Sequence, residues 1–331
     1  MSARAEDSRP HPRWTPVDRI VVALRDIAAA LSVVREVARR TPTVPFVDPE
    51  GGDLRLKLEN LQHLGAFKIR GTWNRLSQLS EGERRRGVTT LSSGNHGRAV
   101  AWGARRMGLR CVVRVPEGAA PQKVDAIRAE GAELISIPRP ELIRVHEEEL
   151  WRSWPETFLH PFAHPAMIAG NGTIGLEIAE DVPDVRTVLV PVGGGGLVAG
   201  IAIAVKATLP RAKVFGVQAE GAATLPVALR TGRAHHIERP ATIADGIRVG
   251  IMLPNMVEVL RRHVDGCLLV TDDGIRAAIR RLAREAKVVA EPAGAAAFAA
   301  WDRFRAQLEP PVVAVVSGGN VDPGLLADVV A

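Results

Sequence analysis

Tyrosine is absent from this chain of 331 residues, and cysteine occurs only twice. Without a phenol group, no mechanism that requires a tyrosine as general acid or base is available. Cys111 and Cys267 each lie in an apolar run, so we expect free, buried thiols in a reducing compartment and no disulfide framework. Charged residues interrupt every apolar segment before it reaches the roughly 18 residues of a membrane span.

Long runs of a single charge are also missing. The net charge of +6 invites a nucleic-acid interpretation, but arginines alternate with acidic residues in segments such as EGERRRG and RRLAREAK. We therefore expect solvated helix faces, and neither a nucleic acid nor a membrane as partner. The first residues lack the pattern of a signal peptide, which predicts a cytoplasmic protein.

The apolar pattern along the chain predicts an α/β fold. Helical spacing from Val17 to Arg40 predicts a first amphipathic helix. Beyond it, strand-like runs such as CVVRVP, AELISIP and TVLVP alternate with helical segments such as QKVDAIRAEG, which predicts parallel-rich sheets flanked by helices. We predict two domains with a cleft between them. The predicted large domain comprises residues 1–86 and 164–331, and the small domain comprises residues 87–163.

A run of four glycines separates an apolar strand from a helical segment. Without Cβ atoms, Gly193, Gly194, Gly195 and Gly196 allow backbone N–H groups and the following helix N-terminus to converge on one anion. This glycine loop predicts a phosphate site. A sharp turn without a ligand is one alternative. A dinucleotide site is another, although the next strand ends at Gln218 and offers no acid for a ribose.

Two further segments gain meaning only in combination. In LSSGNHGRAV, the hydroxyls of Ser92 and Ser93 and the amides of a helix N-terminus could hold a carboxylate, although ordinary N-capping is an alternative. In GAFKIRG, Lys68 precedes a helix, but nothing local distinguishes it from a solvated lysine.

Read in order, several motifs resemble those of fold-type II pyridoxal-phosphate (PLP) enzymes, in the branch of the serine/threonine dehydratases and serine racemases. The motifs are ENLQHLGAFKIRG, SSGNHGRA, HPFAHPAMIAGNGTIGLEI, VPVGGGGLVAG, TIADGI, AEPAGA and VSGGN. The resemblance runs from about Thr41 to Asp322. It implies a fold like that of the tryptophan synthase β subunit, PLP in the cleft between two domains, and a homodimer.

The resemblance also implies roles for residues near the cofactor. Lys68 would carry PLP as a Schiff base and then take the proton from the substrate Cα, while Phe67 packs close by. Asn95 would contact the ring 3′-oxygen, and Ser317 would face the pyridine nitrogen. Glu291 would lie near the ring. The phosphate would be held by the glycine loop together with the residue that follows it: Gly193, Gly194, Gly195, Gly196 and Leu197.

For the substrate, the resemblance points to the loop that follows the third predicted strand. Ser93 would act on the face of Cα opposite the lysine. The backbone amides of this loop would bind the substrate carboxylate. The loop consists of Ser92, Ser93, Gly94, Asn95 and His96.

We predict no metal ion. Some relatives bind a divalent cation through acids that align here with Gln218 and Thr224, neither of which is an anionic ligand, although Glu220 lies nearby. His160 and His164 are four residues apart, but a proline between them argues against a helical ligand pair and favours a structural role.

The predicted reaction is elimination of water from a hydroxy amino acid such as L-threonine or L-serine, which gives a 2-oxo acid and ammonia. Arg98 differs from the residue usual in threonine dehydratases, and SGNHGR is similar to diaminopropionate ammonia-lyases and to dehydratases of hydroxyectoine breakdown. Another β-hydroxy amino acid therefore remains open, as do racemisation and, less favoured, β-replacement. The alternatives outside this chemistry are a PLP-binding regulatory protein and a nicotinamide oxidoreductase. The chain ends soon after VSGGN, so we expect no regulatory domain.

Overall fold

A computed structural model describes residues 18–49, 51–138 and 141–331 of the chain. A six-stranded sheet forms its larger part, and its only antiparallel neighbours in the described chain are the first two strands. In spatial order, this sheet contains β1 (Thr43–Phe46), β2 (Leu54–Leu58), β12 (Val312–Val316), β7 (Thr187–Pro191), β8 (Lys213–Ala219) and β11 (Gly266–Val270).

The second sheet has four strands and is parallel throughout. A separate pair of short antiparallel strands, β9 (His235–His236) and β10 (Ile251–Met252), lies outside both sheets. In spatial order, the four-stranded sheet contains β5 (Glu133–Ile137), β4 (Cys111–Pro116), β3 (Val88–Leu91) and β6 (Thr157–Phe158).

Helices connect the strands and cover both sheets, as the alternating apolar pattern predicts. A five-residue π-helix, Leu282–Ala286, extends α11. The α-helices are α1 (Leu24–Val34), α2 (Lys68–Ser77), α3 (Glu81–Arg86), α4 (Asn95–Arg106), α5 (Pro121–Arg128), α6 (Glu141–Glu147), α7 (Pro165–Asp181), α8 (Gly196–Thr208), α9 (Leu225–Thr231), α10 (Pro254–His263), α11 (Asp272–Arg281), α12 (Pro292–Phe304) and α13 (Pro323–Val330).

The six-stranded sheet is buried on both faces. On one face, β7 packs with α7 and α8 in a core that includes Val190 and Ile201. On the other face, β12 packs against α12 in a core that includes Phe298 and Trp301. Burial on both faces explains why TVLVP and VVAVV are continuous apolar runs without alternation.

The first helix is shorter than the sequence predicts. It spans Leu24–Val34, whereas the apolar pattern runs from Val17, which lies outside the described residues, to Arg40. At its start, the Asp26 carboxylate accepts a hydrogen bond of 2.8 Å from the amide of Ala23. After its end, the Gln62 side chain bonds both the amide and the carbonyl of Arg39, at 2.8 Å each. These contacts hold the flanking segments outside the helix.

The strands β3, β4, β5 and β6 form one sheet and lie between residues 88 and 158. All strands of the six-stranded sheet lie outside that stretch. The two domain boundaries given above stay a prediction.

Four buried charges tie α2 to the six-stranded sheet. The Arg70 guanidinium contacts Glu59 at 2.8 Å and Glu177 at 2.7 Å, and the Lys57 ammonium contacts Glu177 at 2.6 Å. All four residues are buried, and the two cations balance the two anions. Because Arg70 is in the first turn of α2, this charge cluster fixes the helix that begins at Lys68.

Both cysteines are free thiols in the structure. Cys111 is buried and Cys267 is partly buried, and burial raises the pKa of each thiol to about 12. Neither thiol is therefore activated as a nucleophile. Among the described helices, none is both long and apolar enough to cross a bilayer.

Candidate active site

A cavity of about 920 Å³ lies between the two sheets, at the carboxyl ends of β3, β7 and β12. It brings together segments that are far apart in the sequence. Every residue that the sequence analysis assigns to catalysis, cofactor or substrate lines it: Phe67, Lys68, Ser92, Ser93, Gly94, Asn95, His96, Gly193, Gly194, Gly195, Gly196, Leu197, Glu291 and Ser317.

Lys68 is the first residue of α2, and its side chain enters the cavity. Its Nζ donates a hydrogen bond of 3.0 Å to the carbonyl oxygen of Pro161 and lies 5.1 Å from the centre of the Phe67 ring. Burial lowers the pKa of Lys68 to about 8, with Glu291 opposing the shift. A lysine with such a pKa supplies far more neutral amine near neutral pH than a solvated one.

The glycine loop is tightly enclosed. A Cβ at Gly193 would lie 2.8 Å from Val249, and one at Gly195 would lie 2.8 Å from Leu260. A Cβ at Gly194 would overlap the ring of Phe162. Gly195 also has a φ of +96°, a left-handed conformation that favours glycine. A Cβ at Gly196 would lie 2.7 Å from the Phe162 carbonyl oxygen, so all four glycines are needed for close packing, beyond the needs of a turn.

The glycine loop leads directly into α8, which starts at Gly196. Within the described chain, the amides of Gly193, Gly194 and Gly195 donate no hydrogen bond. Free amides at the start of a 13-residue helix form a binding site for a phosphate. The loop therefore fits the phosphate of PLP.

The serine loop, Ser92–Gly94, enters the cavity between β3 and α4. The Ser92 hydroxyl accepts a bond of 3.2 Å from the amide of Gly94, whereas no partner is recorded for the Ser93 hydroxyl among the described residues. A Cβ at Gly94 would meet nothing within 4 Å. The serine loop is therefore open, whereas the glycine loop is enclosed.

Asn95 connects the serine loop to the far side of the cavity. Its Nδ2 donates a bond of 2.8 Å to Glu291, and its Oδ1 accepts a bond of 2.8 Å from Asn320. Asn320 also donates to the carbonyl of Leu64, at 2.7 Å. Burial raises the pKa of Glu291 to about 7, which the hydrogen bond from Asn95 opposes. This network fixes the orientation of the Asn95 amide.

Ser317 lies at the end of β12 and is buried, with 4% of its surface exposed. Its carbonyl accepts a bond of 3.1 Å from the amide of Phe67, and Gly318 forms a bridge with Ala66. The backbone of β12 is thereby attached to the segment that carries Lys68. A neutral hydroxyl at this position cannot supply a negative charge to a ring nitrogen.

Four further residues line the cavity without a role predicted from the sequence. Asn320 lies within the quoted VSGGN motif but was given no role. Phe162, in HPFAHP, packs against the glycine loop. Lys123 on α5 forms an ion pair with Asp245 of the TIADGI motif across the cavity. Asn320 and Asp245 lie in quoted motifs, which could have indicated a place in the site. Lys123 lies in no such motif, so nothing in the sequence indicated its role.

The histidines near the cavity serve the fold. His160 Nδ1 accepts hydrogen bonds from the amides of Phe162 and Ala163, and His164 Nδ1 accepts one from Ala166 at the start of α7. Burial holds the pKa of His160 well below its usual value. Within the described ranges, no group of three or more potential ligands is arranged to hold a metal ion.

At the position that aligns with the cation site of some relatives, the polar side chains contact one another, the backbone or an arginine. The Gln218 amide donates to Thr224 and to the carbonyl of Val192, and it accepts from the amide of Leu225. Glu220 forms an ion pair of 2.8 Å with Arg303. The absence of a metal ion here stays a prediction.

Comparison with known proteins places this geometry in context. The family described as "Pyridoxal-phosphate dependent enzyme" matches residues 34–318. The L-threonine ammonia-lyase of Thermotoga maritima is 40% identical over 312 residues, which cover 92% of this chain and 77% of that protein.

Two solved structures share the fold over nearly their whole length. Processed threonine deaminase isoform 2 from Solanum lycopersicum has a TM-score of 0.85 at 32% identity, covering 96% of this chain and 93% of that one. Maize serine racemase has a TM-score of 0.85 at 31% identity, covering 93% and 96%. The fold class predicted from the sequence is confirmed.

Proposed function

This chain belongs to the family of pyridoxal-phosphate dependent enzymes, and from that premise we propose that it eliminates water from a β-hydroxy amino acid. L-Threonine is the first candidate substrate, and 2-oxobutanoate and ammonia would be the products. The names of the Thermotoga and Solanum relatives support this choice. The observation that carries the proposal is that the Lys68 amine, the glycine loop and the serine loop all line one cavity.

We assign the cofactor contacts from this arrangement. The free amides of the glycine loop, with Leu197 in the first turn of α8, would hold the phosphate. Lys68 would bind the cofactor covalently, Phe67 would pack beside it, and Asn95 and Ser317 would face its ring. Glu291 would lie beside the ring, held by its bond to Asn95. When bound, PLP supplies the electron sink that makes the substrate Cα–H acidic.

Lys68 has the properties required of the base at Cα. Its lowered pKa of about 8 makes a neutral amine available near neutral pH, and only a neutral amine can accept the Cα proton. The protonated Lys68 would give this proton to the Cβ hydroxyl, which then leaves as water. Hydrolysis of the elimination product would give the 2-oxo acid and ammonia. In the structure, the Lys68 amine donates a hydrogen bond to the Pro161 carbonyl, which holds its nitrogen inside the cavity.

The serine loop would bind and orient the substrate. The substrate α-carboxylate would accept hydrogen bonds from the amides of Ser93, Asn95 and His96 at the start of α4, where the helix dipole favours an anion. The amides of Ser92 and Gly94 already donate, to the Arg114 carbonyl and the Ser92 hydroxyl. Ser93 would then place its hydroxyl on the face opposite Lys68. The rigid hydrogen bonds of Asn95 would keep this loop in register with the cofactor.

We propose that residues 87–163 move as one unit against the rest of the chain. The four-stranded sheet falls within this stretch, and the pair of Lys123 with Asp245 joins it to the other part across the cavity. Closure at this pair would exclude water while the proton is transferred.

The decisive assay measures ammonia and 2-oxo acid together, with the purified protein incubated with L-threonine and L-serine. We expect equal amounts of both products. Lys68→Ala should lower kcat by roughly 10⁴-fold or more, since both the base and the covalent attachment are lost. Lys213→Ala, which removes an exposed lysine from β8, is the matched control and should retain full activity. Ammonia without 2-oxo acid would refute the elimination, and the absence of both products would exclude L-threonine and L-serine as substrates.

Racemisation is the second candidate. The Ser93 hydroxyl lines the same cavity as Lys68, and one structural neighbour is a serine racemase. Chiral analysis of the remaining amino acid in the same assay separates the two reactions. Loss of chirality without ammonia would favour the racemase.

We also propose a cytoplasmic homodimer. The free cysteines favour a reducing compartment. Leu61 and Val289 are about half exposed, at 47% and 46%, and line a shared groove with Val44 and Pro45 that a second subunit could cover. Sedimentation velocity tests this directly, and a monomer at micromolar concentration would contradict it.

A further inference from the structure

Arg98 lines the same cavity as Lys68, but it has no assigned role. It lies in the first turn of α4, three residues after Asn95 and therefore on the same side of the helix. Arg98 lines the cavity together with the residues of the serine loop, and its Nε lies 3.5 Å from the Glu130 carboxylate.

The guanidinium of Arg98 is under-bonded. Within the described residues it makes no hydrogen bond, although its Nε is buried. Among the described residues, its ionic neighbour is Glu130, with 3.5 Å between Nε and Oε1. Arg70, by contrast, uses all three of its nitrogens in hydrogen bonds. A guanidinium has five N–H donors, so Arg98 retains capacity for a further anion.

Glu130 does not neutralise Arg98 fully, because it is shared. Its other oxygen lies 2.7 Å from Nη2 of Arg105, two turns further along α4. One carboxylate therefore faces two guanidiniums. The pair of arginines carries an excess positive charge beside the cavity.

The acidic groups that line the cavity are already engaged. Asp245 pairs with Lys123, Glu291 accepts from Asn95, and Asp322 caps α13 through the amide of Leu325. None of these acids forms an ion pair with Arg98 among the described residues. Four cationic side chains line the cavity with these three acids, so its described lining has an excess of positive charge; the cations are Lys68, Arg98, Lys123 and Arg248.

We propose that Arg98 binds a second carboxylate, at the end of the substrate side chain, and that the preferred substrates are acidic β-hydroxy amino acids of the 3-hydroxyaspartate class. The inference rests on the proposed elimination and narrows its substrate class. The α-carboxylate does not need this arginine, because the amides at the start of α4 are available to it. Arg98 can form a bidentate pair with a side-chain carboxylate, which also sets orientation.

The test compares holoenzyme activity on 3-hydroxyaspartate and L-threonine for the parent protein and for Arg98→Gln. We expect the parent to prefer 3-hydroxyaspartate. In the variant, the ratio of kcat/KM for 3-hydroxyaspartate to kcat/KM for L-threonine should fall by roughly 10- to 100-fold, mainly through KM. That range is what the loss of a hydrogen bond between charged groups gives. Arg98→Lys should recover part of the loss, since it keeps the charge without the planar fork.

Arg128→Gln is the matched control, because it removes an exposed guanidinium that pairs with Asp125 on α5 and does not line the cavity. It should leave the substrate ratio unchanged. A binding readout without turnover uses succinate and butyrate as competitive inhibitors. Succinate should bind more tightly to the parent, and Arg98→Gln should remove the difference.

Three outcomes would overturn the proposal. Equal losses on both substrates in Arg98→Gln would place the arginine on the α-carboxylate. An unchanged ratio would remove it from recognition, and a parent that releases ammonia from L-threonine but not from 3-hydroxyaspartate would exclude the substrate class. In that last case the proposed elimination stands, whereas ammonia from neither substrate would contradict the elimination itself.

Discussion

The glycine loop and the serine loop use the same device, a strand that turns into a helix whose free amides face the cavity. They differ in what surrounds them. Around the glycine loop, an added Cβ at Gly194 would overlap the Phe162 ring, and one at Gly196 would lie 2.7 Å from the Phe162 carbonyl oxygen. At the serine loop, an added Cβ at Gly94 would meet nothing within 4 Å.

The difference separates a permanent ligand from a transient one. An enclosed loop cannot shift without disturbing the core, so it suits a cofactor that stays through every turnover. An open loop can move when a substrate enters and a product leaves. The glycine loop and the serine loop have the same strand-to-helix arrangement, and their different packing assigns them to different ligands.

Gly194→Ala tests the role of the enclosed glycine loop. Because its Cβ would overlap the ring of Phe162, we expect the glycine loop to shift, with a loss of about 1–3 kcal/mol in the free energy of unfolding. Cofactor affinity should fall by at least tenfold, since the loop amides no longer converge. Urea unfolding and titration of the cofactor-free protein with PLP measure both effects.

Gly94→Ala is the matched variant in the open loop. Its φ of −118° is accessible to any residue, and it has space for a methyl group. Stability and cofactor affinity should stay within error of the parent, while KM for the substrate rises. A larger loss of cofactor affinity than in Gly194→Ala would contradict the assignment of the two loops.

A second test concerns the chemical difference between the two loops. The serine loop offers a hydroxyl at Ser93, whereas the glycine loop offers only amides. Ser93→Ala should lower any interconversion of enantiomers by roughly 10²-fold or more, because the group on the face opposite Lys68 is lost. Elimination from the L-enantiomer should fall by less than tenfold. Similar losses in both reactions would show that Ser93 only positions the substrate.

The last test concerns pH and Glu291, which bonds Asn95 beside the serine loop. Its pKa is raised from 4.5 to about 7 in the fold, so the folded chain binds more protons than the unfolded chain between these values. Stability therefore falls as pH rises from 4.5 to 7, and the penalty is complete above 7. Glu291→Gln should remove it and stabilise the cofactor-free protein at pH 8 by up to about 3 kcal/mol.

Chemical unfolding at pH 8 and at pH 4.5 measures this difference. The gap between variant and parent should be largely closed at pH 4.5, where the glutamate is protonated in the folded state and half protonated in the unfolded chain. Glu220→Gln, which changes a half-exposed carboxylate paired with Arg303, should show no such gap. A gap of the same size at both pH values would mean that charge is not the cause.

Much of the site was readable from the sequence because its residues stand in short motifs. The family resemblance carried by GAFKIRG, SSGNHG, GGGG and VSGGN predicted which side chains meet. What packs against them was not readable. The bond between Asn95 and Glu291 spans 196 positions, and no local pattern records it. The role of Phe162 against the glycine loop likewise depends on tertiary packing.

The fold shows the same division. Apolar periodicity predicted the parallel strands and their helices, because burial on two faces leaves a continuous apolar run. It failed at the end of α1, where periodicity continues to Arg40 but the Gln62 side chain takes the backbone bonds of Arg39. A helix boundary set by a distant side chain leaves no trace in the local pattern.

The charge cluster of Lys57, Glu59, Arg70 and Glu177 has a consequence for how the enzyme responds to heat. Removing charges from water costs less free energy as temperature rises. The desolvation cost of the cluster that anchors α2, and with it Lys68, is therefore larger at low temperature than at high temperature. Apolar contacts also weaken on cooling. Attachment of the catalytic helix should thus be the first part of the site to loosen in the cold.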